Sequence, residues 1–164
     1  MFHGLTLPRN IDLQALEAHV IYLAGAGVRP LLAGTLGEGL HLAHGERTRI
    51  IHSARKVLDA AGFSNIPIIA GAGGGSTRET IALCEEVAAA GADAAIVITP
   101  GYFAGVLANH RRALKEFYVE VAAKSPVPVL IYNCECSQTD RFIDPLSTHT
   151  QILEPVGGLT STPI

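Results

Sequence analysis

Four short apolar runs recur along the chain about one β-α unit apart, and they constrain the fold more than any other feature. They are Pro30-Leu31-Leu32-Ala33, Ile66-Pro67-Ile68-Ile69-Ala70, Ala94-Ala95-Ile96-Val97-Ile98 and Val127-Pro128-Val129-Leu130-Ile131. Each run is continuous rather than alternating, the pattern of a parallel strand covered on both faces. Parallel neighbours need a crossover of a dozen or more residues, and a helix-patterned segment stands between each pair. Residues 46–61 place Ile50, Ile51, Ala54, Val57, Leu58 and Ala61 on one face, with Gly62 as a left-handed cap. Ser76 and Glu79 form a capping-box pattern that opens a helix over 77–90, and Gly91 closes it. Residues 105–123 carry the stripe Leu107, Leu114, Phe117, Tyr118 and Val121. A further helix over 11–26 precedes the first run, capped by Asp12, with Leu13, Leu16, Val20 and Leu23 at helical spacing. Repeated β-α units predict either a doubly wound sheet or a (β/α)8 barrel. Beyond residue 131 the pattern weakens to a short helix over 141–153 and a strand starting at Val156-Gly157-Gly158-Leu159.

Composition narrows the class of protein. Of the 164 residues 48% are hydrophobic and only 16% charged, which excludes a disordered chain and suits elements buried on more than one face. A net charge of -3 argues against a nucleic-acid partner. Met1-Phe2-His3-Gly4-Leu5-Thr6 has neither the basic flank nor the apolar core of a signal peptide. No run of about 18 apolar residues is free of charges and breaks, so no membrane span is expected. The three cysteines, Cys84, Cys134 and Cys136, are an odd number, which suggests free thiols in a reducing compartment. The expected location is cytoplasmic, or mitochondrial if the N-terminus is incomplete.

Polar residues collect where the runs end. Gly34-Thr35-Leu36-Gly37-Glu38 follows the first run, Gly71-Ala72-Gly73-Gly74-Gly75-Ser76 the second, Thr99-Pro100-Gly101-Tyr102 the third and Tyr132-Asn133 the fourth. In parallel α/β folds the C-terminal strand ends form the ligand face. Hydroxyls of Thr35, Ser76, Thr99, Tyr102 and Tyr132 are therefore candidates for one site, although Ser76 reads more simply as a helix cap. Tyr132 is favoured because a tyrosine ending a buried strand needs a partner for its hydroxyl. The loop Gly71–Gly75 offers an alternative function, phosphate or nucleotide binding before a helix. It lacks the lysine of a P-loop, and Ser76 stands where a dinucleotide fingerprint needs glycine or alanine. His41, His44 and Glu38 could be read as metal ligands, as could Cys134 and Cys136, but neither set is complete and no metal is expected.

Several of these strings resemble one family. Gly34-Thr35-Leu36-Gly37-Glu38 with His41-Leu42 and Glu46-Arg47 is similar to the GTTGE loop and following helix of the dihydrodipicolinate synthase / N-acetylneuraminate lyase family. The resemblance continues in Ala70-Gly71, Ser76-Thr77-Arg78-Glu79-Thr80, Ala90-Gly91-Ala92-Asp93-Ala94, Thr99-Pro100-Gly101-Tyr102 and Tyr132-Asn133. It implies an α/β fold that is part of a (β/α)8 TIM barrel, about strands 2 to 5 with their helices. A barrel of that kind needs about 250 residues. The expected organisation is thus one incomplete domain over 1–164, family-like over 10–133 with a diverged tail over 134–164. The chain would then be a fragment or a diverged gene product.

The resemblance also implies chemistry. Family members are class I aldolases or dehydratases of 2-oxo acids such as pyruvate, need no cofactor, and are often homo-oligomers. No arginine follows closely on Tyr132-Asn133, which favours relatives like 4-hydroxy-2-oxoglutarate aldolase over the dihydrodipicolinate synthases. Carried over, Tyr132 is the general acid/base at the keto carbon, with Thr35 and Tyr102 completing its hydroxyl relay. Gly34, Thr35 and Leu36 bind the substrate carboxylate, Leu36 standing where many relatives carry a second hydroxyl. The imine-forming lysine is the missing part. The three lysines, Lys56, Lys115 and Lys124, all fall in helical segments, and Thr160 stands roughly where the family's lysine would be. The expectation is a lyase by descent that is inactive as this chain. The alternative is a non-catalytic member that acts as a binding or interaction module.

Overall fold

The computed structural model describes residues 5–6, 10–101, 110–132 and 152–153. They divide between two compact units, residues 1–71 with 86–94 and residues 72–85 with 95–164.

The first unit opens with β1 (Leu5–Thr6) and β2 (Asn10–Ile11), antiparallel, Leu5 opposite Ile11. Helix α1 (Leu13–Gly25) starts where Asp12 takes up the Ala15 N–H at 2.9 Å, one of the donors a helix start leaves unpaired. Its buried residues Leu16, Val20 and Ala24 follow the spacing that the sequence pattern requires. Strand β3 (Leu31–Leu32) and helix α2 (His44–Ala60) come next, and α1 packs on α2. The Ser53 hydroxyl of α2 donates to the Glu17 carboxylate of α1. Gly62 ends α2 with φ +83°, and the Phe63 N–H returns to the Leu58 carbonyl at 2.8 Å, the closure expected of a left-handed cap.

Strand β4 (Ile69–Gly71) lies parallel to β3, with Leu31 opposite Ile69 and Leu32 opposite Ala70. It is shorter than the apolar run that announced it. Pro67 has no N–H for a ladder, and the Ile66 N–H closes a turn on the Phe63 carbonyl at 3.0 Å. Arg55 holds this turn through Nη1 to the Ile66 carbonyl (3.0 Å) and Nη2 to the Phe63 carbonyl (3.2 Å). Asp93 fastens the entry to β4 by accepting the Ile68 N–H at 2.7 Å.

Helix α3 (Thr77–Ala89) is capped by Ser76, whose Oγ accepts the Glu79 N–H at 3.2 Å, and Gly91 follows it at φ +101°. In the second unit, β5 (Ala94–Ile98) and β6 (Val129–Tyr132) run parallel, from Ala95 opposite Val129 to Ile98 opposite Tyr132. The Ala72 N–H bonds the Ile96 carbonyl at 3.0 Å. Helix α4 (Arg111–Lys124) lies between them in sequence and buries Leu114, Tyr118, Val121 and Ala122. Residues 102–109, with Leu107, lie outside the described residues. The architecture is the α/β alternation of parallel strands and helices that the apolar runs predict.

The tail departs from expectation. Ile152 and Leu153, which fall in the segment 141–153 expected to be helical, form instead a strand, β7 (Ile152–Leu153), antiparallel to β6 with Leu153 opposite Val129 and Ile152 opposite Leu130. An open strand edge offers a row of backbone donors and acceptors, and pairing with it overrides a weak local helix pattern. Residues 141–151 and Val156–Leu159 lie outside the described residues.

Candidate functional site

In the first unit the sequence motif Gly34–Glu38 forms a rolled loop at the C-terminal end of β3. Ala33 and Glu38 adopt left-handed backbone conformations, φ +51° and +54°, which side-chain-bearing residues rarely take. The Gly37 and Gly39 N–H groups both return to the Gly34 carbonyl (3.1 and 3.0 Å), and that of Glu38 to the Thr35 carbonyl (3.1 Å). Among the described residues, the amides of Thr35 and Leu36 take no part in this ring. Thr35 is exposed, Leu36 is 79% exposed, and Gly34 is half-buried. Successive amides in a tight turn make a concavity suited to an anion. The loop is seated by two glycines: a Cβ on either Gly39 or Gly71 would collide with the Ala33 carbonyl. Only glycine permits this approach of three backbone segments.

In the second unit Tyr132 is the last residue of β6 and lies beside Ile98, one position before Thr99. Tyr132 is half-buried. Thr99 is buried, and its hydroxyl meets the Tyr118 hydroxyl at 3.1 Å. Tyr118 also donates to the Val97 carbonyl at 3.4 Å. Burial pushes the Tyr118 phenol up to about 12, against the opposing effect of the Thr99 hydrogen bond. Thr99 therefore spends its hydroxyl on α4. Tyr102 lies outside the described residues.

Some of the remaining candidates take structural roles. Ser76 is a helix cap. Within the Gly71–Gly75 loop, Gly73 and Gly74 answer packing needs: a Cβ on Gly73 would lie 2.8 Å from the Ile98 side chain, and one on Gly74 2.6 Å from that of Glu79. The Gly74 N–H is taken by the Thr80 hydroxyl at 3.2 Å, which removes one of the donors a phosphate cradle would use. His44 Nδ1 lies 2.8 Å from the Glu86 carboxylate, and His41 is exposed on a short 3-10 turn. Among the described residues no three His, Cys, Asp or Glu side chains cluster as metal ligands. Cys134 and Cys136 lie outside the described residues. Lys56 sits within α2, and Lys115 and Lys124 within α4, so no lysine ends a described strand.

Comparison with known proteins decides the family. The model of the Dihydrodipicolinate synthetase family matches residues 6–153. The chain belongs to the Dihydrodipicolinate synthetase family. Over 125 residues it is 42% identical to a protein of Emericella nidulans named "Probable 4-hydroxy-2-oxoglutarate aldolase, mitochondrial", covering 76% of this chain and 40% of that one. It is 41% identical over 125 residues to an L-threo-3-deoxy-hexylosonate aldolase of Aspergillus niger, covering 76% of this chain and 37% of the relative. The crystal structure of the chloride-inhibited dihydrodipicolinate synthase from Acinetobacter baumannii complexed with pyruvate superposes with a TM-score of 0.72 at 30% identity. It covers 83% of this chain and 44% of that one. The chain thus spans about two fifths of the length of the curated relatives it matches, and its fold is part of the family's (β/α)8 barrel.

Two residues that matter for these strand ends escape a motif search. Tyr118 reads as one more member of an apolar stripe. Arg47 appears only as part of the family string, yet it falls on the same helical face as Ile50, Ile51, Ala54 and Leu58. A cation inside an apolar stripe signals that acceptors await it.

Proposed function

We propose that this member of the Dihydrodipicolinate synthetase family binds a short 2-oxo acid such as pyruvate and descends from lyases that cleave carbon–carbon or carbon–oxygen bonds next to such a group. The observation that carries this reading is the family match over 6–153 together with the rolled loop at Gly34–Gly39. Its roles are those that the family resemblance assigns. The amides of Thr35 and Leu36, next to Gly34, take the substrate carboxylate. The loss of a second side-chain hydroxyl at Leu36 leaves its backbone N–H to serve. Tyr132 moves protons at the keto carbon, and Thr35 and Tyr102 extend its hydroxyl relay.

Class I chemistry at a ketone begins with attack by a lysine amine. The C–N bond forms, the carbonyl oxygen takes a proton from a neighbouring acid, and water leaves to give the imine. Tyr132 is the acid in this proposal, re-protonated through its relay. The amine has no source at the described strand ends, because all three lysines lie on α2 and α4. On this reading the 164-residue chain binds the keto acid without turning it over, as one incomplete barrel domain that is family-like over 10–133 and diverged over 134–164. A cytoplasmic or mitochondrial setting suits the free thiol of Cys84.

Borohydride reduction in the presence of pyruvate, followed by peptide mass spectrometry, tests the proposal. Lys56, Lys115 and Lys124 should remain unmodified, while a titration with pyruvate perturbs the Thr35 and Leu36 amide resonances. A reduced pyruvate adduct on any lysine of this chain overturns the claim that it cannot form the imine. Unperturbed loop amides at millimolar pyruvate overturn the binding role.

A further inference from the structure

Arg47 is 4% exposed and stands one turn into α2, on the stripe that meets the interior of the first unit. Its Nη1 donates to the Gly71 carbonyl at 2.6 Å and its Nη2 to the Gly39 carbonyl at 2.7 Å. These two acceptors are far apart in sequence. Gly39 is the last residue of the rolled loop, and Gly71 ends β4. They are also the two glycines whose missing Cβ lets them close on the Ala33 carbonyl. One planar guanidinium therefore joins the last residue of the loop to the end of the neighbouring strand, at the point where both press on the residue that starts the loop.

The geometry needs an arginine. A guanidinium offers two N–H groups in a fixed fork, so it sets both the spacing and the mutual tilt of the two peptide planes. A lysine ammonium is a single point and cannot impose the tilt. The loop also carries two left-handed non-glycine residues, Ala33 and Glu38. Backbone held in such regions persists only where its surroundings over-determine it. Beside the backbone bonds within the loop, Arg47 adds two bonds, to the carbonyls of Gly39 and Gly71.

We infer that Arg47 is a positioning residue: by tying Gly39 to Gly71 it holds the Gly34–Gly39 loop in the form in which the Thr35 and Leu36 amides can meet one carboxylate together. The inference rests on the carboxylate-binding role proposed above for that loop. Arg47 does not itself touch the substrate, and its effect is on how well the loop is preorganised.

The test uses the full chain as wild type, Arg47→Lys and Arg47→Met, with pyruvate as the probe and amide hydrogen exchange as a second readout. Arg47→Lys should weaken pyruvate binding roughly tenfold, the scale of one lost charge-assisted hydrogen bond. In the free protein it should speed exchange at the amides from Gly37 to His41 while leaving Val20 in α1 and Ile51 in α2 unchanged. Unaltered pyruvate affinity with unaltered loop exchange overturns the inference, as does acceleration spread evenly over α1 and α2. If neither variant folds cooperatively, Arg47 is a core residue and the positioning role is lost. If the wild type itself does not bind pyruvate, the carboxylate reading fails, and the exchange arm still decides whether Arg47 holds the loop.

Discussion

Two buried acids in the second unit give single residues a measurable signature. Burial raises the Cys84 thiol from about 9.0 to about 11, with Glu85 adding to the rise and the Ser125 hydrogen bond opposing it. Tyr118 rises from 10.0 to about 12 for the same first reason. In both cases folding favours the protonated form. The associated stability is complete below the unfolded pKa and is lost as pH rises towards the folded one. Thermal melts should therefore fall between about pH 9 and pH 11 as Cys84 becomes easier to ionise in the unfolded chain, and Cys84→Ala should flatten the curve in that window. The same burial keeps the thiol from reacting. Ellman's reagent at pH 8 should label Cys84 slowly in the folded protein and at once in urea. At this scale the sequence was only half readable. The spacing of Asp12, Ser76 and Gly62 stated their capping roles, because caps are local. The roles of Arg47 and Tyr118 depend on partners distant in sequence, Gly71 for one and Thr99 for the other.

Elements were the most legible level, because a buried strand and an amphipathic helix write their period into adjacent residues. The run Ala94–Ile98 is a strand over the same five residues. The start of β4 moved because Pro67 and the Phe63 turn delay it. Glycines separate two kinds of joint that look alike in sequence. Gly25, the last residue of α1, has open space where a Cβ would go, whereas Gly71 at the end of β4 has the Ala33 carbonyl there. Gly25→Ala should therefore stabilise by up to about 1 kcal/mol, through helix propensity and a less flexible unfolded chain. Gly71→Ala must displace backbone and should cost about 1–3 kcal/mol or more. Urea unfolding of both variants checks the contrast. Equal effects would show that the close approach of Gly71 to Ala33 carries no energy.

The whole chain covers 40% and 37% of the two aldolases it resembles, so the family's barrel cannot be read from it entire. What the sequence pattern did not disclose is how the second unit treats the outer edge of its last parallel strand. In a barrel of parallel strands the next neighbour of β6 would also run parallel. Here β7 pairs with it antiparallel, setting Ile152 and Leu153 against Leu130 and Val129. With β5 on one side and β7 on the other, β6 has partners along both edges. No local signal announces such a strand, because two apolar residues serve a helix or a strand equally well and only the open edge selects between them. An uncovered edge next to buried apolar residues is a template for pairing with another chain. Truncation after residue 150 removes β7 and leaves β6 with β5 alone, and it should produce self-association that grows with concentration. Sedimentation velocity across a tenfold concentration range measures this directly. Identical profiles for the full and truncated chains would mean that β7 does not protect the edge, while larger species confined to the truncated chain would assign that protection to Ile152 and Leu153.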